Sequence, residues 1–174
     1  MPSARSASDP QLFAPLHVVV MEGPLGKVHI ESDGLVITRV SFENLRGSRA
    51  KQPKLLGTAA KQMDQYFAGK RKRFDLPLQR LGTRFQRLVW DAIDDIPYGK
   101  TRTYQAIGEK IGGLALARTV GHACGSNPLP ILLPCHRVIA SDGLLTGYVG
   151  GLWRKRWMLQ HEGALPKDLF TADR

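Results

Sequence analysis

A cysteine and a histidine stand side by side at Cys135-His136, after the stiff run Asn127-Pro128-Leu129-Pro130-Ile131-Leu132-Leu133-Pro134. Proline fixes φ and removes an N–H donor, so this stretch cannot be an ordinary helix. Its leucines and isoleucine make it a buried approach to one thiol. The thiolate is the reactive form of cysteine, and an adjacent histidine can take its proton. Taken alone, the pair is also compatible with a buried structural cysteine beside an incidental histidine. The second cysteine, Cys124, has no neighbour of that kind.

The elements that must position this turn are legible in outline. Leu16 to Met21, Lys27 to Glu31 and Leu35 to Phe42 read as three antiparallel strands. They are separated by Gly23-Pro24-Leu25-Gly26 and Ser32-Asp33-Gly34. Leu55, Leu56, Ala59, Ala60, Met63, Tyr66 and Phe67 fall at helical spacing and can cover one face of that sheet. The basic run Gly69-Lys70-Arg71-Lys72-Arg73 ends this helix as a solvated loop. Leu76-Pro77-Leu78 begins a linker to the second half. Thr83 and Gln86 form a capping box, and Phe85, Leu88, Val89, Ala92, Ile93 and Ile96 make the apolar stripe behind it. Thr103 caps a short helix to about Ile111, and a second short helix runs from about Ala115 to Cys124 after Gly112-Gly113. Two short helices joined by a glycine turn outline a helix-turn-helix. Gly150-Gly151 opens a last helix, Leu152 to His161, which Gly163 stops.

Composition narrows the class. The chain has 174 residues, 43% of them hydrophobic, enough for one domain or two small ones. No apolar run approaches the length of a membrane span. Met1 to Pro10 is polar, without a secretory core. Two cysteines make no disulfide framework, so a reduced intracellular setting is expected: cytoplasmic, or nuclear in a eukaryote. The net charge of +10 favours polyanionic partners. That excess is shared between residues 1–77 and 78–174, so it does not locate a binding face.

Asn127 to Val138 closely resembles the active-site signature of the O6-alkylguanine-DNA alkyltransferases, the methylated-DNA–protein-cysteine methyltransferases. The resemblance runs from about Gly82 to Gly163. It takes in G-T-x-F-Q-x-x-V-W, I-P-Y-G-K-T-x-T-Y, A-R-T-V-G, P-C-H-R-V, Y-x-G-G-L and H-E-G in order. It implies an α+β fold: a small N-terminal α/β domain (1–77) with the three-stranded antiparallel sheet, and a mainly helical C-terminal domain (78–174) with the helix-turn-helix and the cysteine. It implies irreversible, single-turnover transfer of an alkyl group from O6-alkylguanine in DNA to Cys135, with O4-alkylthymine as a further substrate left open. His136 is implied as base and Glu162 as its orienter, in a Cys–water–His–Glu relay. Tyr104 is implied as donor to the flipped base, and Asn127 as the tie between helix-turn-helix and active-site turn. Arg118 is implied to enter the duplex where the nucleotide leaves, with Ala117, Thr103 and Gly121 also facing DNA through its minor groove. Tyr148, Val149 and Gly150 are implied to wall the alkyl pocket, Pro130 to bind substrate beside them, and Val138 to offer a carbonyl to guanine.

The partner implied is double-stranded DNA carrying alkylated guanine, bound by a monomer; cooperative packing on DNA is left open. No cofactor is expected. Some relatives bind zinc in the N-terminal half, but both cysteines here lie in the C-terminal half and no ligand spacing occurs, so no metal is expected. Cys124 stands where some relatives carry a bulkier residue. Two other readings compete. An alkyltransferase-like protein would bind lesions without transfer, but such relatives replace the cysteine. A cysteine hydrolase would turn over.

Overall fold

The computed structural model describes residues 15–48, 52–113 and 117–167. Three strands, β1 (His17–Gly23), β2 (Gly26–Ser32) and β3 (Ile37–Ser41), form an antiparallel sheet in the order β1-β2-β3. Gly23 pairs with Gly26 across the first turn, and Gly26 has a φ of 78° that suits glycine. β3 starts two residues later than the expected Leu35. The Asp33 carboxylate accepts from the Leu35 and Val36 N–H groups (2.9 and 3.0 Å), and the Ser32 hydroxyl donates to Val36 O (2.8 Å). These side chains hold Leu35 and Val36 in the turn, as short polar residues do.

The helix α1 (Lys54–Phe67) buries Leu56, Ala59, Met63 and Tyr66 against the sheet. Full burial of a side chain the size of Leu56 or Met63 contributes about 1.5–3 kcal/mol. The segment expected to begin a linker is instead paired along β3. The Ile37 N–H donates to Pro77 O (2.8 Å), and Gln79 N–H donates to Ile37 O (2.9 Å). On the same strand Val40 N–H donates to Pro128 O at 2.9 Å, so the sheet touches the approach to Cys135 directly.

The helix α2 (Arg84–Asp94) carries the expected capping box at Thr83 and Gln86. Its buried face is Val89, Trp90, Ala92 and Ile93, whereas Leu88, placed in the stripe by spacing, is 42% exposed. Trp90 takes that share of the core instead, and its indole N–H donates to Ala123 O at 2.8 Å. Gly82 lies so close to the Trp90 ring that a Cβ would stand 2.6 Å from it. A two-residue strand β4 (Arg102–Thr103) leads into α3 (Tyr104–Lys110), and α4 (Ala117–Gly125) packs against α3. Thr103 caps α3 through its hydroxyl, which accepts from Ala106 N–H at 3.1 Å. The expected start of α4 at Ala115 falls outside the described residues. A single 3₁₀ turn holds Cys135–Arg137. It runs into β5 (Val138–Ile139), which pairs in parallel with β4. The last helix is α5 (Leu152–His161), as the glycine pair and Gly163 indicate. Among the described residues, no helix is long and apolar enough to cross a membrane.

Candidate active site

Cys135 is 4% exposed at the start of the 3₁₀ turn, at the end of a strained approach. Ile131 has φ 74°, a conformation β-branched residues rarely adopt. It is held there by burial and by the Leu133 N–H, which donates to Leu129 O at 2.8 Å. Asn127 secures the whole turn. Its amide donates to Leu133 O (3.0 Å) and to Cys135 Sγ (3.2 Å), while its carbonyl accepts from Leu129 N–H (2.9 Å). Burial pushes the Cys135 thiol up, and the Asn127 hydrogen bond and the Lys155 charge oppose it. Cys124 is pushed up to about 12, again by burial, with no side-chain donor to oppose it.

Beneath the turn lies a buried charged cluster. His136 is fully buried, and its Nε2 is 2.7 Å from Glu162 Oε1. A carboxylate can only accept there, so Nε2 carries the proton and Nδ1 keeps its lone pair. Nδ1 is buried with no hydrogen-bond partner among the described residues. Burial lowers the His136 pKa, against the pull of Glu162, so the ring favours its neutral form. Arg137 clamps the same carboxylate, Nε to Oε2 at 2.8 Å and Nη2 to Oε1 at 3.1 Å, and Nη1 donates to Ile96 O at 2.6 Å. Burial alone would raise the Glu162 pKa, but His136 and Arg137 outweigh it and hold the carboxyl well below the usual range. Gly99 completes the set, its N–H donating to Glu162 Oε2 at 3.1 Å. With φ 74°, and with a Cβ that would stand 2.8 Å from Glu162 O, position 99 suits glycine alone. The expected contact between Glu162 and His136 is therefore present.

Above Cys135 opens a cleft of about 750 Å³. Eight of the residues singled out from sequence line it: Tyr104, Ala117, Arg118, Gly121, Cys124, Cys135, Tyr148 and Val149. Arg118 is exposed on its rim. Pro130 and Asn127 line a neighbouring groove that shares Val149 with the cleft. Val138 is buried in β5, and Thr103 is spent as a cap. Gly150 packs beneath Phe42, where a Cβ would stand 2.4 Å from the ring, and its carbonyl accepts from Arg154. That guanidinium stands over both Phe42 and Trp153, at 4.4 and 4.3 Å from the ring centroids, and so ties the 148–150 wall to the sheet.

Four contributors escaped sequence reasoning: Arg137 and Gly99, which hold Glu162, and Lys155 and Tyr66. Lys155 has no exposed surface; its Nζ donates to Thr146 O (3.0 Å) and to the Tyr104 hydroxyl (3.3 Å), which in turn donates to Thr146 O (3.2 Å). It sits inside Arg154-Lys155-Arg156, and nothing in that run marks the middle cation as the inward one. Tyr66 was read as one apolar position of α1, yet its hydroxyl donates to Glu162 Oε1 at 2.8 Å. Among the described residues no group of three or more His, Cys, Asp or Glu side chains could hold a metal ion.

Two family models match the chain. Residues 16–79 match the ribonuclease-like domain of 6-O-methylguanine DNA methyltransferase, and residues 84–164 match its DNA binding domain. The methylated-DNA–protein-cysteine methyltransferase of Mycobacterium tuberculosis is 40% identical over 164 residues, 91% of this chain and 99% of the relative. The constitutive enzyme of Bacillus subtilis is 41% identical over 138 residues, 74% of this chain and 84% of the relative. The crystal structure of the M. tuberculosis O6-methylguanine methyltransferase superposes with a TM-score of 0.77 at 39% identity, covering 88% of this chain and 97% of that one. A structure of the M. tuberculosis protein in complex with DNA also gives 0.77, at 41% identity, covering 85% and 93%.

Proposed function

Because the chain belongs to the 6-O-methylguanine DNA methyltransferase family, we propose that it repairs DNA by moving the alkyl group of O6-alkylguanine irreversibly onto its own Cys135. Sγ attacks the alkyl carbon, so an S–C bond forms while the C–O6 bond breaks and its electron pair leaves with guanine. The thiol proton passes toward Nδ1 of His136, across the bridging water that the family relay implies. Glu162, already holding Nε2–H at 2.7 Å, steadies the imidazolium that results. The Tyr104 hydroxyl turns from Thr146 O to the leaving base, where a preorganised donor stabilises the developing anion. The product is a thioether, which gives water no good electrophile, so each molecule acts once.

The substrate is a nucleotide flipped out of double-stranded DNA, with α4 against the minor groove and Arg118 filling the space it leaves. Unstacking costs a few kcal/mol, and a guanidinium plane restores part of it. Ala117 and Gly121 keep the face of α4 small, and Thr103 starts the helix before it. Tyr148, Val149, Gly150 and Pro130 wall the alkyl group, and the Val138 carbonyl meets the guanine amine. In this reading residues 1–77 form one domain and 78–174 the second; the protein acts as an intracellular monomer.

The observation that carries the proposal is that, of the two thiols lining the cleft, Cys135 is held by Asn127 and stands next to a histidine whose tautomer Glu162 fixes. The test is incubation with duplex O6-methylguanine DNA bearing a labelled methyl, followed by peptide mass analysis. One label per protein, on the peptide of Cys135, supports transfer. Release of labelled product with turnover would indicate a hydrolase, and tight binding with no label would indicate a lesion-binding protein.

A further inference from the structure

We propose that Tyr66, on α1 of the N-terminal half, is a positioning residue for alkyl transfer, its buried hydroxyl donating to the carboxylate oxygen of Glu162 that holds the His136 ring. The inference rests on the reading of His136 as the base for Cys135. Tyr66 is 1% exposed, and its hydroxyl lies 2.8 Å from Oε1. His136 Nε2 lies 2.7 Å and Arg137 Nη2 3.1 Å from that same oxygen. With Arg137 Nε and the Gly99 N–H on Oε2, the carboxylate accepts from both halves of the molecule.

The Tyr66 ring has little freedom. Phe67, Phe74, Tyr98 and His161 surround it at centroid distances of 5.7, 5.5, 6.2 and 5.3 Å. His161 also donates from Nε2 to the Tyr66 carbonyl at 2.7 Å, which fixes the backbone that carries the ring. Burial, and next the charge of Glu162, raise the phenol well above its ordinary value, so it stays a donor.

The effect on the base has a definite sign. A hydrogen bond to Oε1 spreads the carboxylate charge and weakens its pull on Nε2–H of His136. Nδ1 is then less basic, and the ring stays neutral and able to receive a proton at lower pH. The other groups facing this pair are Arg137 and Cys135 on its own turn, Lys155 and His161 on α5, and Tyr98 after α2. Tyr66→Phe changes none of them and keeps the ring in its cage.

The experiment measures single-turnover transfer by the full chain, from O6-benzylguanine and from the methylated duplex, across pH. In Tyr66→Phe the acid limb of the profile should move to higher pH by about half a unit to one unit. Replacing Tyr66 by 3-fluorotyrosine, a nearly isosteric and stronger donor, should move it to lower pH. In a Glu162→Gln background Tyr66→Phe should move nothing. Opposite shifts from two near-isosteric side chains do not arise from packing alone. A wild-type chain that transfers normally, with the limb unmoved in both variants, overturns the Tyr66 assignment alone. A wild-type chain that takes up no alkyl group overturns the underlying reading as well.

Discussion

His136, Glu162 and Arg137, beneath the cleft, are 0%, 6% and 7% exposed, and the Glu162 carboxylate ties the other two at 2.7–3.1 Å. Arg118 and Val149, on the rim of the same cleft, are exposed, Val149 at 57%. The floor is preorganised: burial is offset by charge-assisted hydrogen bonds, so its geometry exists before any substrate arrives. The rim is open to solvent and to a large partner. In the proposed function, bond-making falls to the first region and DNA recognition to the second. Asn127 joins them, because it leaves the end of α4 and grips Cys135.

The largest effect expected is at the thiol. Cys135→Ser should abolish transfer while leaving lesion binding, since a hydroxyl is a far poorer nucleophile near neutral pH. Gel-shift affinity alongside peptide labelling checks both halves of that statement.

Glu162→Gln comes next. It removes the group that sets the His136 tautomer and leaves Arg137 buried beside a neutral amide. Transfer should slow by about 10²–10³-fold in rapid-quench assays, on free base and duplex alike. The same substitution changes acid stability. Glu162 is held well below its unfolded value, so its contribution is present above pH ~4 and is lost as pH falls toward the folded value. The lowered His136 pKa acts in the same direction from pH ~6.5 downward. Melting temperature should therefore drop on acidification in the native protein, and the part below pH ~4 should flatten in Glu162→Gln.

Tyr104→Phe should cost about 2–4 kcal/mol of transition-state stabilisation, read as single-turnover rate, with DNA affinity little changed. Cys124→Ser marks the small end. Its thiol is held protonated by burial, with a pKa of about 12, and both rate and affinity should stay within about twofold of the parent.

How much of this was legible follows from the range of each interaction. The Thr83–Gln86 box, the Thr103 cap and the Gly163 stop are local, and each marks its helix end in the sequence as in the structure. The family resemblance paired His136 with Glu162, 26 residues further on, and the two side chains lie 2.7 Å apart. Leu88 was misplaced because spacing alone cannot tell it from Trp90, which fills the space beside Gly82 and reaches α4. The pairing of residues 77–79 along β3 was invisible because proline reads as a break, while here its carbonyl accepts from Ile37. Tyr66 and Lys155 escaped for a related reason: their polar ends meet partners 96 and 51 residues away.

The division between floor and rim is tested most directly by comparing Glu162→Gln and Arg118→Ala on two substrates, free O6-benzylguanine and an O6-methylguanine duplex. A free base needs no flipping, so Arg118→Ala should transfer from it at the parent rate, while the duplex reaction slows by about tenfold or more. Glu162→Gln should slow both reactions by the same factor. Equal losses on both substrates for Arg118→Ala, or a Glu162→Gln defect confined to the duplex, would contradict the account.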